Sequence, residues 1–414
     1  MQETKPATKA VSPVDRGETE AVMMPLTIGQ TAPERAALSD QVVTLVARSS
    51  GFQHSLPQGI ASALAELVRA MNCYYSNLIE GHATHPVDIE RALRDELSEL
   101  AEQRDLQLEA RAHIAVQAWI DAGGLQGRLF SREALCAIHE RFAAELPERL
   151  LWIDHSNTGA RERVIPGALR SRDVCVGRHM PPSPGAIARL LGAYGRHYAP
   201  LGTMERLLAA AAAHHRLLWI HPFLDGNGRV ARLHSHALFV EVLATGGVWS
   251  VARGLARQVD AYKGHLAACD APRRNDLDGR GALSQAALVA FSAFFLEACL
   301  DQVQFMEGLV EPRRLRERVL RWANEAHQAG RLPPRADRLL EVLLFQGTLN
   351  RAEVPGLLDA SERQSRRVVA ALINEGAIRS ASSRAPLHLA FPAHLAECWL
   401  PGLFPAQATP SRRS

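Results

Sequence analysis

One short stretch gathers the most chemically capable side chains of the sequence: "HPFLDGNGRVAR", His221 to Arg232, set between two apolar helical runs. His221 follows "RLLWI", and Pro222 interrupts that helix because a ring nitrogen without a hydrogen cannot extend the backbone ladder. "RVARLHSHALFVEVLA" then resumes a helical period, so the stretch reads as a loop leading into a helix N-terminus. Such a terminus presents backbone N–H groups without intrahelical partners and a partial positive charge, which suits an anion. Gly226 and Gly228 permit a sharp bend and close approach of the backbone to a ligand. Asn227 adds a side-chain donor. Arg229 and Arg232 share a helix face from which successive phosphates could be clamped. Asp225 is a hard oxygen ligand suited to a Mg²⁺ ion that keeps several waters and bridges phosphates. His221 is a natural general base near neutral pH. The plainer alternative is a polar interhelical loop whose arginines make surface ion pairs, but a lone histidine or arginine would suit that better than this whole set.

The stretch resembles the signature of Fic-domain proteins, HPFx(D/E)GNGRxxR, at every defined position. That resemblance implies an α-helical bundle that transfers AMP from ATP to a hydroxyl of a target protein. It implies that His221 deprotonates an incoming Ser, Thr or Tyr hydroxyl and that Asp225 holds Mg²⁺ against the α- and β-phosphates. Gly226, Asn227 and Gly228 would form an anion hole, with Arg229 and Arg232 on the outer phosphates. The likeness runs over roughly residues 40 to 305. Within it, "GALRSRDVCVGRHMPPSP" resembles the family's flap, whose edge (Val174, Cys175, Val176, Gly177) would lay the target backbone beside the site by strand addition. "NDLDGRGALSQAALVAFSAFFL" resembles its closing helices. Where the family often carries a paired aromatic near the adenine, "DAYKGHL" offers Tyr262 followed by Lys263, so Tyr262 alone is the base-stacking candidate.

Upstream lies "SNLIEG", Ser76 to Gly81. Ser76 and Glu80 share a helix face and Gly81 is well placed to end the helix. By itself this is a solvated glutamate before a glycine stop. Beside the signature it resembles the family's inhibitory motif, (S/T)xxxE(G/N), which implies that Glu80 pairs with Arg232 and keeps the ATP γ-phosphate from docking productively.

The elements that must position these residues are overwhelmingly helical. "VDIERALRDELSEL", "SREALCAIHERFAAEL", "MERLLAAAAAHHRLLWI" and "ALSQAALVAFSAFFLEACLDQV" repeat apolar residues at three- and four-residue spacing, with Pro86 and Ser131 suited to first turns. The class expected is all-α: a Fic helical bundle with a short β-hairpin flap, plus a C-terminal winged helix-turn-helix domain. The expected organisation is a disordered tail (1–34), an N-terminal helical region with the inhibitory helix (35–130) and a catalytic core (131–310). A linker helix (311–334), the winged helix-turn-helix (335–404) and a disordered tail (405–414) complete it. The last module follows the order helix, short helix, longer helix, hairpin. Arg363, Arg366 and Arg367 on its third helix suit DNA phosphates or guanine edges. Glu353, Asp359 and Glu362 dilute that charge, and such modules also serve in dimerisation or protein docking.

Bulk properties narrow the partners. A formal charge of +3 over 414 residues does not argue by itself for nucleic acid or membrane binding. Six dispersed cysteines without a CxxC pair point to buried free thiols in a reducing compartment. No long uninterrupted apolar run and no signal-peptide profile appear, so a cytoplasmic protein without membrane contact is expected. His214, His215, His234 and His236 invite a metal reading, yet without an HExxH pattern they read as packing residues, as does His139. The partners implied are ATP, a target protein and, through the winged helix, DNA; homodimerisation is left open. Two rival functions remain: removal of AMP at the same site, and a nucleotide-sensing DNA-binding regulator.

Overall fold

Apolar side chains recurring every three to four residues turn most of the chain into helices that bury one face. The computed structural model describes residues 13–25, 33–82, 84–154 and 161–404. The N-terminal part contains α1 (Pro33–Ser55), α2 (Gln58–Ile79), α3 (Pro86–Leu93), α4 (Ala101–Asp121) and α5 (Arg132–Ala144). A small antiparallel pair follows, β1 (Trp152–Asp154) and β2 (Arg161–Arg163). Then come α6 (Ile187–Tyr198), α7 (Thr203–Leu208), α8 (Ala210–Ile220), α9 (Asn227–Leu243), α10 (Ala252–Arg257), α11 (Val259–Cys269) and α12 (Gln285–Leu309). Pro86 opens α3, and the Ser131 hydroxyl caps α5 by accepting the Ala134 N–H.

The core sits around α12. By length and composition this helix is apolar enough to cross a membrane, its most apolar window having a mean hydropathy of 1.6. Scattered polar residues hid that from a search for an unbroken apolar run. Here Phe291, Phe295, Cys299, Val303 and Met306 form a buried stripe, and α12 packs against α1, α8, α10 and α11.

Beyond it stand α13 (Pro312–Gln328), α14 (Ala336–Gln346), β3 (Thr348–Leu349), α15 (Val354–Leu358), α16 (Glu362–Asn374), β4 (Ile378–Arg379), β5 (Leu387–Leu389) and α17 (Ala393–Trp399). The strands form one antiparallel sheet in the order β3-β5-β4, and Ser361 with Gln364 makes a capping box at the start of α16. The helix expected as a linker, α13, is a packed member of this module: its Trp322 meets Trp399 of α17 edge-on at 5.1 Å. The module is seated on α2 and α3. Arg379 pairs with Glu66, the Tyr75 hydroxyl donates to the Leu403 carbonyl at 3.0 Å, and Glu90 accepts the Ala393 N–H at 3.0 Å.

Other expectations are modified by the structure. Residues 1–12 and 26–32 of the tail read over 1–34, and the tail 405–414, lie outside the described residues. Residues 13–25, however, are bound: Glu20–Met23 form a helical turn against α6, because their charges find partners on the flap and α6. The β1–β2 pair has no counterpart in the sequence reading. At the expected flap, the ladder is reduced to one pair, Val176 with His179, exchanging two hydrogen bonds of 3.0 Å across Gly177 and Arg178. Gly177 takes φ +59 at the bend, where a side chain would be strained. Val174 and Cys175 lie outside the ladder.

The seat of the C-terminal module yields a prediction. A Cβ added to Gly59 of α2 would stand 2.2 Å from the Gly347 carbonyl oxygen, a backbone atom that cannot swing aside. Gly59→Val should therefore destabilise the protein by roughly 1–3 kcal/mol, read as a lowered midpoint in urea unfolding.

Candidate active site

The junction between α8 and α9 builds the site. α8 ends at Ile220 and His221 caps it in the left-handed conformation, φ 49 and ψ 62. That backbone costs a non-glycine residue roughly 1–2 kcal/mol, so surrounding bonds must hold it. They are present: the His221 N–H bonds the Leu217 carbonyl at 3.0 Å, and the Arg170 guanidinium donates to the His221 carbonyl at 2.8 Å. The imidazole bonds the Leu218 carbonyl, so one ring nitrogen carries the hydrogen and the other keeps its lone pair. Burial, then the nearby Arg170 cation, lowers its pKa to about 4. A ring that is neutral at pH 7 with a free lone pair is a competent base.

On the other side of the loop, Gly226 turns at φ +77 and α9 begins. Its first backbone bond runs from the Val230 N–H to the Gly226 carbonyl, so the N–H groups of Asn227, Gly228 and Arg229 precede the ladder and converge on one spot. The Glu80 carboxylate packs against Gly228 of this first turn. A Cβ on Gly228 would lie 2.3 Å from Glu80 Oε1, which explains the glycine. Glu80 caps α2, with Gly81 at φ +88 closing the helix as its sequence suggested. Arg232 holds the acid at 2.5 Å and also donates to the Ser76 hydroxyl at 2.8 Å. Burial alone would raise the Glu80 carboxyl, but Arg232 and Arg229 outweigh it and keep it below the usual carboxylate range.

Three residues have duties other than those expected. The Asn227 amide faces back into the loop, accepting the Phe223 N–H at 2.9 Å and donating to the Phe223 carbonyl at 2.8 Å, so its side chain is a loop clamp. Arg229 is buried and bonded to the Glu109 carboxylate, so it is not a free phosphate clamp. Tyr262 is buried too and shows no open ring face for a base. Its hydroxyl meets His214 Nε2 at 2.7 Å, while His214 Nδ1 meets Ser235 Oγ at 2.8 Å. Because Ser235 donates to the Ala231 carbonyl, His214 carries its hydrogen on Nδ1 and accepts from the phenol, which Arg232 also contacts. Burial pushes the Tyr262 pKa up to about 12, keeping it a donor.

His139 joins the signature loop to the flap. Its Nδ1 accepts the Gly167 N–H at 2.9 Å, the ring bonds the Asp225 carbonyl, and it stacks on Phe223 at 4.0 Å. Burial lowers its pKa to about 4, as an accepting nitrogen requires. The Asp225 carboxylate itself is exposed. Outside the loop, the flap is held by the N-terminal strap. Arg16 grips Asp173 with two bonds of 2.8 Å, and Glu18 takes both the Ser183 N–H at 2.6 Å and its hydroxyl at 2.7 Å.

The flanking histidines are packing residues with protein partners: His215 with Asp270, His234 with the Leu129 carbonyl, His236 with Asp121. Among the described residues no group of three or more His, Cys, Asp or Glu could hold a metal. The cysteines are free, Cys73, Cys269 and Cys299 being buried and Cys175 and Cys398 exposed. Arg363, Arg366 and Arg367 are exposed on α16, far from the signature in sequence, with Arg366 paired to Glu362 at 2.9 Å. Arg170, Glu109 and His82 were missed. Arg170 lies within the quoted flap, but neither Glu109 nor His82 carries a pattern that singles it out.

Residues 129–239 match the Fic/DOC family model. The chain is 41% identical over 76 residues, 18% of its length, to the protein adenylyltransferase Fic of Drosophila erecta. The corresponding proteins of Drosophila yakuba and Drosophila melanogaster match at the same 41% identity over 76 residues. The match spans 15% of the length of these curated relatives. A crystal structure of a Fic family protein from Desulfovibrio desulfuricans G20 shares the fold with TM-score 0.51 and 18% identity, over 88% of this chain and 98% of that one.

Two predictions follow from the geometry. Asn227→Ala removes both bonds that close the loop and leaves the buried Phe223 N–H and carbonyl unpaired, so stability should fall by roughly 2–4 kcal/mol in urea unfolding. His82 bonds Glu109 at 3.0 Å, and that bond raises its pKa above the ordinary 6.5. The stabilisation is fully present below the ordinary value and is lost as pH rises through the raised one. The Tm gap between the wild type and His82→Gln should accordingly be widest below the ordinary 6.5 and narrow as pH rises above it.

Proposed function

On a chain whose residues 129–239 form a Fic/DOC-family domain, we propose a protein adenylyltransferase that moves AMP from ATP to a target hydroxyl and is restrained by its own Glu80. One observation carries the reading: the neutral His221 imidazole stands just before a helix N-terminus whose first N–H groups are unbonded, and the Glu80 carboxylate, tethered to Arg232, packs against Gly228 of that first turn. A carboxylate thus already lies against the helix turn to which the phosphates of a nucleotide would be drawn. The target hydroxyl oxygen attacks the α-phosphorus as its proton passes to the free nitrogen of His221. The bond to the bridging oxygen breaks, and pyrophosphate leaves with the electron pair. The N–H groups of Asn227, Gly228 and Arg229 stabilise charge building on the phosphoryl oxygens.

Asp225 fits a magnesium ion: its carboxylate is exposed at the loop while His139 fixes its backbone carbonyl. A single hard carboxylate suits an ion held mainly by phosphates and water, and the ion would neutralise triphosphate charge. Arg232 would turn from Glu80 to the γ-phosphate, a partner of higher charge. Only one partner can hold it, which makes the acid a brake. Removing one member of a buried pair frees the other for a ligand.

The target would lie along the flap edge at Val174 to Gly177, where Val176 is 42% exposed. For the C-terminal module, the exposed Arg363, Arg366 and Arg367 favour reading it as a winged helix-turn-helix that meets DNA phosphates. Glu80→Gly should raise incorporation of α-labelled ATP into protein by about 10-fold or more, with His221→Ala abolishing it in the same background. Label from γ-labelled ATP instead, or none from either, would refute AMP transfer.

A further inference from the structure

We propose that Arg170 is a positioning residue that holds the His221 backbone and both arms of the flap in one bonded unit. The inference rests on the adenylyltransferase reading for its activity measurements alone.

Arg170 precedes the flap turn, and its side chain is 4% exposed. Its guanidinium donates to the carbonyls of Arg172 at 2.7 Å, Pro182 at 2.6 Å, His221 at 2.8 Å and Ile220 at 3.4 Å. Its backbone N–H adds a bond of 2.9 Å to the Pro222 carbonyl. None of these acceptors is a carboxylate. A buried guanidinium is ordinarily matched by an acid, because its charge is costly to strip of water. Here the match comes from the carbonyl end of α8, the negative pole of that helix, and from flap carbonyls that the reduced ladder leaves unused. Burial lowers the Arg170 pKa to about 10, so it remains a cation at neutral pH.

Two needs meet in this side chain. His221 stands in a left-handed conformation that must be held from outside, and the Arg170 bonds to Ile220 and His221 do so. The flap has only the Val176–His179 pair within its own ladder, and Arg170 ties its outgoing arm at Arg172 to its returning arm at Pro182. The base and the surface that presents its substrate therefore share one anchor. The fork geometry is required, since four acceptors on three segments cannot be met by an ammonium point charge.

The charged and titratable groups facing His221 are Arg170 and His179 from the flap and Asp225 from the signature loop. Loss of the Arg170 charge should make the ring easier to protonate, and a lysine at the position should keep that electrostatic effect while losing the geometry.

The test uses the full chain carrying Glu80→Gly, with Arg170→Met or Arg170→Lys added. Transfer is read as self-incorporation from α-labelled ATP, nucleotide binding by calorimetry with magnesium ATP, the His221 ring by NMR titration, and folding by thermal unfolding. Expected for Arg170→Met are a rate about 100-fold lower, magnesium ATP affinity within about 2-fold because the α9 terminus is untouched, and a raised His221 pKa. Arg170→Lys should return the His221 pKa toward its original value while the rate stays low. An undiminished rate in Arg170→Met overturns the proposal, as does a rate lost only in step with nucleotide affinity. Rescue of the rate by lysine also overturns it. If Arg170→Met unfolds, Arg170→Gln provides the same neutral comparison. Should the Glu80→Gly parent transfer no AMP at all, the functional reading fails, while the His221 titration still decides whether Arg170 governs the ring.

Discussion

Two helix ends of opposite polarity meet at Pro222–Gly226: the carbonyl end of α8 and the N–H end of α9. Unpaired, they would bury groups that cost about 1–3 kcal/mol each. A cation, Arg170, serves the carbonyl pole, and an anion, Glu80, packs against the first turn at the N–H pole. His221 lies between the two, on a backbone held from one side and next to an anion seat on the other. The loop needs its own closure as well, which Asn227 supplies through both atoms of its amide. Remove these constraints and the histidine and glycines remain in sequence but lose their relation in space.

α2 carries the acid to that junction and does a second job along its length. Its Gly59, Glu66 and Tyr75 touch the C-terminal module, while its Ser76 and Glu80 touch Arg232. Its seam with α4 is polar: Asn72 donates to Gln117 at 2.6 Å, and the buried His113 ring finds no hydrogen-bond partner among the described residues. Burial lowers the His113 pKa to about 3, so the ring stays neutral beside Arg232 and Arg229. Apolar side chains such as Ile60, Leu64, Leu67, Val68 and Met71 bury most of α2, and the Glu80–Arg232 pair adds a specific polar bond at its end.

Much was legible beforehand where chemistry follows from adjacency. "HPFLDGNGRVAR" announces a loop and a helix start, because proline, glycine and helical periodicity act within a few residues of themselves. "SNLIEG" likewise announces a helix end, and the structure closes α2 at Gly81. The helical class and the element order of the C-terminal module follow from apolar spacing in the same way. The hairpin at the flap was read too large, since the alternation around Val174 to Val176 matches a strand but its partner arm is taken by Arg170.

Local composition thus specifies which groups are present and which turns carry them, since those depend on interactions a few residues long. It cannot say which partner a buried charge takes, because that is a contest among groups brought together from distant parts of the chain. Asn227 turned to Phe223, Arg229 to Glu109, and Tyr262 to His214, each satisfying a polar group that desolvation would otherwise penalise. The residues that hold the site, Arg170 and His139, come from the flap and α5, about 50 and 80 positions before the signature loop they serve. Packing alone sets such distances, and so the sequence names the reacting groups while the folded chain assigns their partners.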